Sequence, residues 1–242
     1  MQVLARVRRR LAAERGFTLI ELMVAASVGV VIIGVAFGLL DSAVRTVDKS
    51  GNRIDVSQRG RLALDTITQR LRSQVCGGPS TAYIPSIVSG APNRVVFYSD
   101  MGDSSGRQLR ALDYSGGQIR WFTYPGTDPT AAPTSTQVLA TDVAPNNGTG
   151  MFKYFSYNPQ AADQTITPAP ALYLTLPDTL AATDLEHVVR ITVGFTAYDR
   201  GGTATDSDAS DFNGDFLSRN ASSPYEFSTV PTDLRVLEPR CK

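Results

Sequence analysis

The chain has 242 residues, of which 42% are hydrophobic and 19% charged, and this composition argues against global disorder. The formal net charge is zero, but the first 16 residues hold five arginines and one acid, which leaves 18 basic and 22 acidic side chains in the rest. A mildly acidic body argues against nucleic-acid binding by the globular part.

A long apolar segment follows this basic stub. Residues 17–40 read FTLIELMVAASVGVVIIGVAFGLL and contain a single charge, Glu21. As a helix with a rise of about 1.5 Å per residue, the segment spans roughly 36 Å, enough to cross the hydrocarbon core of a bilayer. Because positive charge stays on the cytoplasmic side, the arginines predict a single pass through the inner membrane, with residues beyond 40 outside the cytoplasm.

Two ordinary kinds of N-terminal segment share this basic-then-apolar pattern. A secretory signal peptide needs small residues at a cleavage site after the apolar run, and Ser42 and Ala43 offer only a weak match. A plain signal anchor explains everything except Glu21. An ionised carboxylate four residues into a lipid-facing helix is costly and needs a partner.

The junction at residues 15–21, RGFTLIE, resembles the signature of type IV pilins and type II secretion pseudopilins. In that family a membrane aspartyl protease, the prepilin peptidase, cuts after the glycine and methylates the new amine. The resemblance implies that residues 1–16 are a cleaved leader, that cleavage falls between Gly16 and Phe17, and that Phe17 is N-methylated. It also implies that Glu21 pairs with the terminal amine of a neighbouring subunit, since a buried carboxylate and a buried ammonium each need the other.

Helical patterning continues through residues 41–76, as an amphipathic continuation of the transmembrane helix 17–40. One apolar stripe runs along this otherwise charged part, through Leu64, Ile67, Leu71 and Val75. The sequence CGGP from residue 76 predicts the end of the helix, because glycine and then proline are typical stop signals. Residues 60–72 are similar to the J-type pseudopilins and to the minor pilins called PilW.

The chain has two cysteines, Cys76 and Cys241, so only one intramolecular pairing exists. A bridge would fix the C-terminus to the end of the predicted helix and would require an oxidising compartment. The alternative is two unrelated buried thiols. We expect the bridge, because a free cysteine next to the last residue has little structural use.

Beyond residue 80 the sequence changes to short strands and turns. The strand candidates are residues 94–99, 109–114, 118–124, 137–140, 151–157, 171–176, 187–198 and 232–237. Ser115, Gly116 and Gly117 predict a tight hairpin with a primed turn. The predicted fold class is therefore α+β, with a long N-terminal helical stalk packed on a mainly antiparallel β head formed by residues 77–242.

Residues 199–226 are long, polar and without periodicity, which predicts a functional or mobile loop. Five hard oxygen ligands lie within ten residues there: Asp206, Asp208, Asp211, Asn213 and Asp215. Such density suggests calcium. The segment lacks the glycine and the closing glutamate of a helix-loop-helix calcium loop, so we prefer a solvated acidic loop and keep calcium as the alternative.

Residues for catalysis are scarce. The single histidine, His187, falls in a predicted strand and is expected to be structural, and two distant cysteines do not make a zinc site with it. The sequence has no nucleophile elbow, phosphate-binding glycine loop or dinucleotide fingerprint. We expect that the protein is not an enzyme and has no cofactor apart from the calcium alternative.

With the resemblance, these features predict a minor pilin that takes part in assembling or priming a type IV pilus, at or near its tip. The expected partners are major and minor pilins or pseudopilins, the prepilin peptidase and the inner membrane, with no nucleic acid for the head. A J-type pseudopilin of a type II secretion system shares the signature and stays open. The alternative of another class is a signal-anchored binding or enzymatic domain, which needs neither Glu21 nor the Gly16–Phe17 junction.

Overall fold

The computed structural model describes residues 18–77, 85–102, 106–148, 150–158 and 171–218. The chain divides into two units, Met1–Gly51 and Asn52–Lys242. One helix, α1 (Leu19–Arg72), begins in the first unit and ends in the second. The leader residues 1–16, the predicted strand 232–237 and the last part of the predicted polar loop lie outside the described residues.

From Leu19 to Leu40, within the first unit, α1 is apolar on every side and carries a single charge, Glu21. Its large hydrophobic side chains, from Leu19 to Val47, are all exposed. A helix of this kind requires an apolar environment rather than water around it. Within the part of the chain that the structure describes, α1 is the one helix long and apolar enough to cross a membrane.

In the second unit α1 is amphipathic and packs on the head. Its buried residues recur every three or four positions: Val56, Gly60, Ala63, Ile67 and Leu71. The predicted stripe is therefore right at Ile67 and Leu71, whereas Leu64 lies at the margin of the core.

The helix ends at Arg72 rather than at residue 76, because the chain turns to pair with the sheet. The Val75 N–H donates to the Tyr98 carbonyl at 3.0 Å, and the Asp100 N–H donates to the Ser73 carbonyl at 3.0 Å. These sheet hydrogen bonds replace those that a longer helix would make.

The head contains two antiparallel sheets. The first is a five-stranded meander in chain order: β1 (Ile87–Ala91), β2 (Arg94–Asp100), β3 (Arg107–Ser115), β4 (Gln118–Thr123) and β5 (Ser135–Thr141). Between β3 and β4, Gly116 and Gly117 have φ of 59° and 75°, which is the primed turn that the sequence predicts.

The second sheet has the order β10-β9-β7-β8, with β6 also paired to β9. Its strands are β6 (Val143–Pro145), β7 (Phe152–Tyr157), β8 (Tyr173–Thr175), β9 (Arg190–Ala197) and β10 (Ser210–Leu217). Two short 3-10 helices, Asn146–Gly148 and Leu185–His187, lie between strands. The predicted α+β class is confirmed.

Two local predictions in this region are wrong. His187 ends a 3-10 helix and is not part of β9. The predicted polar loop 199–226 contains β10, in which Phe212 and Phe216 are buried and the alternating polar side chains are exposed. Aspartate, asparagine and glycine are poor strand formers, and tertiary packing of the two phenylalanines overrides that preference here.

The main core lies between the second half of α1 and both sheets. It contains side chains from the helix (Ile67, Leu71), from the first sheet (Val95, Phe97, Leu112, Trp121) and from the second (Ile191, Phe195, Phe212, Phe216). Two guanidinium groups lie near Trp121, with Arg70 of α1 at 5.2 Å and Arg110 of β3 at 5.7 Å from the ring centroid. A smaller cluster that includes Val96, Tyr98 and Leu109 lies on the other face of the first sheet.

Candidate assembly site at the start of the apolar helix

Thr18 caps the N-terminus of α1. Its Oγ1 accepts a hydrogen bond from the Glu21 backbone N–H at 3.3 Å, and its carbonyl accepts one from the Leu22 N–H at 3.1 Å. A threonine followed three residues later by a glutamate is the capping-box pattern. The Thr18 hydroxyl also lies 3.5 Å from Glu21 Oε2, so the two side chains face each other across the first turn.

Glu21 is exposed and is the acidic residue of the first helical turn. Its negative charge is favourable there, because the backbone N–H groups at a helix N-terminus carry partial positive charge. The structure shows no cation paired with its carboxylate within residues 18–77 or the other described segments.

A comparison with known protein families identifies the sequence motif that contains the capped first turn of α1. Residues 11–37 match the family model described as the prokaryotic N-terminal methylation motif. The chain carries a type IV pilin-like leader. The match includes the Gly16–Phe17 junction, Glu21 and most of the apolar segment. No curated protein matches the chain.

A pilin-like leader implies processing by a prepilin peptidase and assembly with other pilins. Together with the apolar part of α1, it fits a membrane-anchored pilin-like protein. Gly16 and Phe17 lie outside the described residues, so cleavage and methylation at this junction stay predictions from the sequence.

The predicted disulfide also stays a prediction, since Cys241 lies outside the described residues. Cys76 lies four residues beyond the end of α1. Its carbonyl accepts a hydrogen bond from Arg107 Nη1 at 3.4 Å, which places it beside the start of β3. A bridge would therefore fix the C-terminus at this end of the first sheet.

The five residues of the calcium alternative are divided between a turn and a strand. Asp206 lies in the turn before β10, where its carboxylate accepts hydrogen bonds from the Thr203 N–H at 2.6 Å and hydroxyl at 3.0 Å. Asp208 lies in the same turn and accepts from the Ser207 hydroxyl at 3.4 Å. Each carboxylate thus has a local partner.

The other three, Asp211, Asn213 and Asp215, occupy alternate positions on the exposed face of β10. Thr196 donates to Asp211, and Asn146 Nδ2 donates to Asn213 Oδ1 at 3.0 Å. Among the described residues no group of three or more histidine, cysteine, aspartate or glutamate side chains could hold a metal ion. The structure therefore does not bring the five residues together.

Asp215 forms an ion pair with Arg190 in addition to hydrogen bonds. Arg190 of β9 donates through Nη2 at 2.8 Å and through Nε at 3.1 Å, and the Thr192 hydroxyl donates at 2.8 Å. Partial burial alone would raise the pKa of Asp215, but the hydrogen bonds from Arg190 and Thr192 and the Arg190 charge outweigh it and hold the pKa below its ordinary value.

The sequence did not reveal a cluster around Arg59 that joins the second half of α1 to two head loops. The guanidinium lies 2.9 Å from Asp55, 3.6 Å from Asp142 and 3.9 Å from Asp199. Asn52 also donates to Asp199 at 3.2 Å. Only the Asp55–Arg59 spacing is visible in the sequence as an i,i+4 pair.

Proposed function

We propose that this chain is a minor pilin that takes part in assembling or priming a type IV pilus, at or near the filament tip. The observation that carries the proposal is the match to the N-terminal methylation motif over residues 11–37. The apolar part of α1, exposed on every side, supports it because such a helix is suited to the membrane and then to a bundle of similar helices. The proposal assigns no catalytic activity to the chain.

The charges at the start of α1 suggest how Glu21 acts. Cleavage after Gly16 leaves an ammonium group on Phe17, one residue before the capping Thr18. A positive charge at a helix N-terminus is unfavourable, and in an apolar bundle it needs a negative neighbour. The Glu21 carboxylate of an adjacent subunit would supply that charge, and its own cost in lipid would be offset by the same contact.

Residues 60–72 favour a minor pilin over a major one, because they resemble the PilW and J-type proteins. A J-type pseudopilin of a type II secretion system remains the second candidate, supported by the same residues and the same leader. The two candidates share the mechanism proposed for Glu21. They differ in the machinery that the neighbouring genes encode.

The test is substitution of Glu21 in the full-length chain, expressed with its partner pilins. Glu21→Gln removes the charge and keeps a residue that completes a capping box, so α1 should still start at Leu19. We expect membrane insertion and leader cleavage to continue, while incorporation into filaments falls at least about tenfold for a lost pairing worth roughly 1.4 kcal/mol or more.

The matched control is Asp41→Asn, which removes an exposed α1 carboxylate that pairs with Arg45 at 3.0 Å. It should leave incorporation unchanged, because exposed i,i+4 pairs contribute little. Normal incorporation of the Glu21→Gln chain would contradict the proposed role of this carboxylate.

A further inference from the structure

The first sheet has an outer face, which points away from the main core and carries the smaller apolar cluster. Five side chains of this cluster are no more than 5% exposed: Val96 and Tyr98 of β2, Leu109 and Ala111 of β3, and Tyr124, which follows β4. In β2 they alternate with Val95 and Phe97 of the main core. Both faces of this sheet are therefore buried, whereas an antiparallel sheet with one face in water alternates apolar with polar residues.

Burial this deep requires other atoms above the sheet, and the described residues supply only part of them. Among these residues, the partly buried apolar side chains that pack against the cluster are Val75, Val88 and Phe122. Val88 and Phe122 belong to β1 and β4 of the same sheet, and the Val75 N–H donates to the Tyr98 carbonyl at the edge of β2. All three therefore border the cluster within the sheet layer and do not form a second layer.

The connection between β4 and β5 covers one end of the outer face. Arg94, at the start of β2, donates to the Tyr124 hydroxyl at 2.7 Å and to the Pro129 carbonyl at 3.4 Å. Tyr98 and Leu109 pair with each other near the other end of β2. The connection is therefore fixed over the Arg94 end, and the Tyr98–Leu109 end needs another cover.

The remaining cover belongs to this chain, because the cluster is buried in a single chain without a neighbouring subunit. The connection between β7 and β8 lies elsewhere: Asn158 Nδ2 donates to the Ala171 carbonyl at 2.8 Å, so both of its ends are at the second sheet. The connection between α1 and β1 leaves and returns at one edge of β2, where the Tyr98 backbone bonds to Val75 and to Ser86. A segment that must return to its starting edge crosses fewer strands than a chain end does.

The C-terminal segment, residues 219–242, is long enough to cross the whole outer face. It begins just after β10. About 23 residues separate Ser218 from Cys241, and they can span up to roughly 75 Å when extended. Cys76 directly follows Val75, so the predicted bridge would place the end of the segment at the border of the cluster.

The same segment contains the apolar side chains that the outer face requires. In the predicted strand 232–237, alternation would place Leu234 and Val236 on one side and Asp233 and Arg235 on the other. Burial favours an arrangement in which the apolar side contacts the cluster and the charged side stays in water.

We propose that the C-terminal segment lies across the outer face of the first sheet, with the apolar side of residues 232–237 on the cluster. The Cys76–Cys241 bridge would hold the end of the segment in place. Because such a bridge forms in an oxidising compartment, the cover would be locked only after the head has left the cytoplasm. This inference concerns the head alone and does not depend on the role proposed for Glu21.

The first test is photocrosslinking within the oxidised full-length chain in detergent. A benzophenone amino acid replaces Phe122, which borders the cluster, or Tyr173 of β8 as the control; both are partly buried aromatic residues. We expect the probe at position 122, and not the probe at position 173, to crosslink to a peptide from residues 230–242 of the same chain.

Three results of this experiment would overturn the proposal. Crosslinks from position 122 only to residues 78–84 or 125–134 would show that an internal connection covers the outer face. A crosslink to a second copy of the chain would show that the cover comes from outside. Equal yields of the 230–242 product from positions 122 and 173 would show that the segment does not dock on this face.

The second test separates docking from the tether that the bridge provides. Leu234→Ser removes an apolar side chain from the proposed contact, and the control Arg235→Ser changes its neighbour on the opposite side of the predicted strand. We expect Leu234→Ser to lower the unfolding midpoint by about 5 °C or more, and to lower the crosslink yield at position 122, because a buried leucine is lost. Arg235→Ser should leave both unchanged. With the bridge intact, equal midpoints of the two variants would remove this inference and leave the proposed filament function standing.

Discussion

At the scale of single residues, Gly60 determines how closely α1 approaches the second sheet. A Cβ at Gly60 would overlap the ring of Phe212, and a Cβ at Gly214 would lie 2.8 Å from Leu64 Cδ1. Glycine inside a helix costs about 1 kcal/mol relative to alanine. Close packing of the helix on β10 offsets that cost.

Gly60→Ala should therefore destabilise the chain despite its better helix propensity. Overpacking of this kind costs about 1–3 kcal/mol, and we expect the unfolding midpoint of the full-length chain in detergent to fall by several degrees. The matched control is Gly51→Ala, where a Cβ would meet nothing within 4 Å. That variant should be stabilised by up to about 1 kcal/mol, and equal effects of the two substitutions would contradict the argument.

Asp215 provides a pH-dependent test on the same sheet. Its pKa is lowered in the folded chain, so its contribution to stability is present above the unfolded pKa of about 3.9 and is lost as the pH falls through the folded pKa. Because the side chain is half exposed, the loss caused by Asp215→Asn at neutral pH should stay below about 1 kcal/mol. The difference in the free energy of unfolding between wild type and Asp215→Asn, measured by denaturant unfolding, should become smaller below about pH 4.

If the difference in the free energy of unfolding stays constant from neutral to acidic pH, the Asp215–Arg190 pair is not the cause of that difference. Asp208→Asn is the control, because Asp208 lies in the turn before β10 and contacts only the local hydroxyl of Ser207 among the bonds that the structure shows. Asp208→Asn should change the free energy of unfolding less than Asp215→Asn does at every pH.

At the scale of elements, the start of α1 is defined by the same residues as the methylation motif. We predict that the mature chain begins at Phe17 with a methylated amine, because Gly16 precedes the capped turn at Thr18 in a matching motif. Mass spectrometry of the N-terminal peptide from membranes or filaments checks this. A chain that starts at Met1, or after Ala43, would contradict both the leader and the proposed function.

The elements that the sequence predicts well have strong local signals. The apolar run predicts α1, and the Gly116–Gly117 turn predicts the β3–β4 hairpin; both are confirmed. The signal of β10 is hidden, because Gly214 occupies the position between Phe212 and Phe216 where an alternating strand would have a third apolar residue. Leu64 of α1 fills the space above that glycine, and no sequence window contains both residues.

The candidate site also has a part that the sequence predicts and a part that it does not. The motif that contains Glu21 is contiguous, so the sequence identifies it, and the structure adds the capping role of Thr18. The cluster around Arg59 is formed by residues from α1 and two loops. Its carboxylates meet only after the head has folded, which is why periodicity and motifs do not indicate it.

At the scale of the whole molecule, the two units present opposite surfaces to their surroundings. The first unit exposes its apolar side chains, whereas the second buries a core shared by α1 and two sheets. An apolar surface as extensive as that of residues 19–40 is not stable in water as a monomer. We therefore expect the full-length chain to require a membrane, detergent or other subunits.

The predicted bridge would constrain the second unit as a whole. If Cys76 and Cys241 pair, they close a loop of about 165 residues, for which chain entropy predicts roughly 4–5 kcal/mol, less any strain. Peptide mapping without reductant, on protein from outside the cytoplasm, should recover the two cysteines in one linked peptide pair. Two free thiols in that material would refute the bridge, and Cys241→Ser should lower stability by a similar amount.

Trp121 can serve as an intrinsic fluorescence probe because of its position. It is the only tryptophan in the chain, and it is buried near Arg70 of α1 and Arg110 of β3. Indole emission responds to nearby charge and to water. Separation of α1 from the first sheet would therefore change both the emission wavelength of Trp121 and the accessibility of its ring to soluble quenchers. Fluorescence of the unlabelled protein can therefore follow, in real time, whether the second half of α1 stays packed on the first sheet.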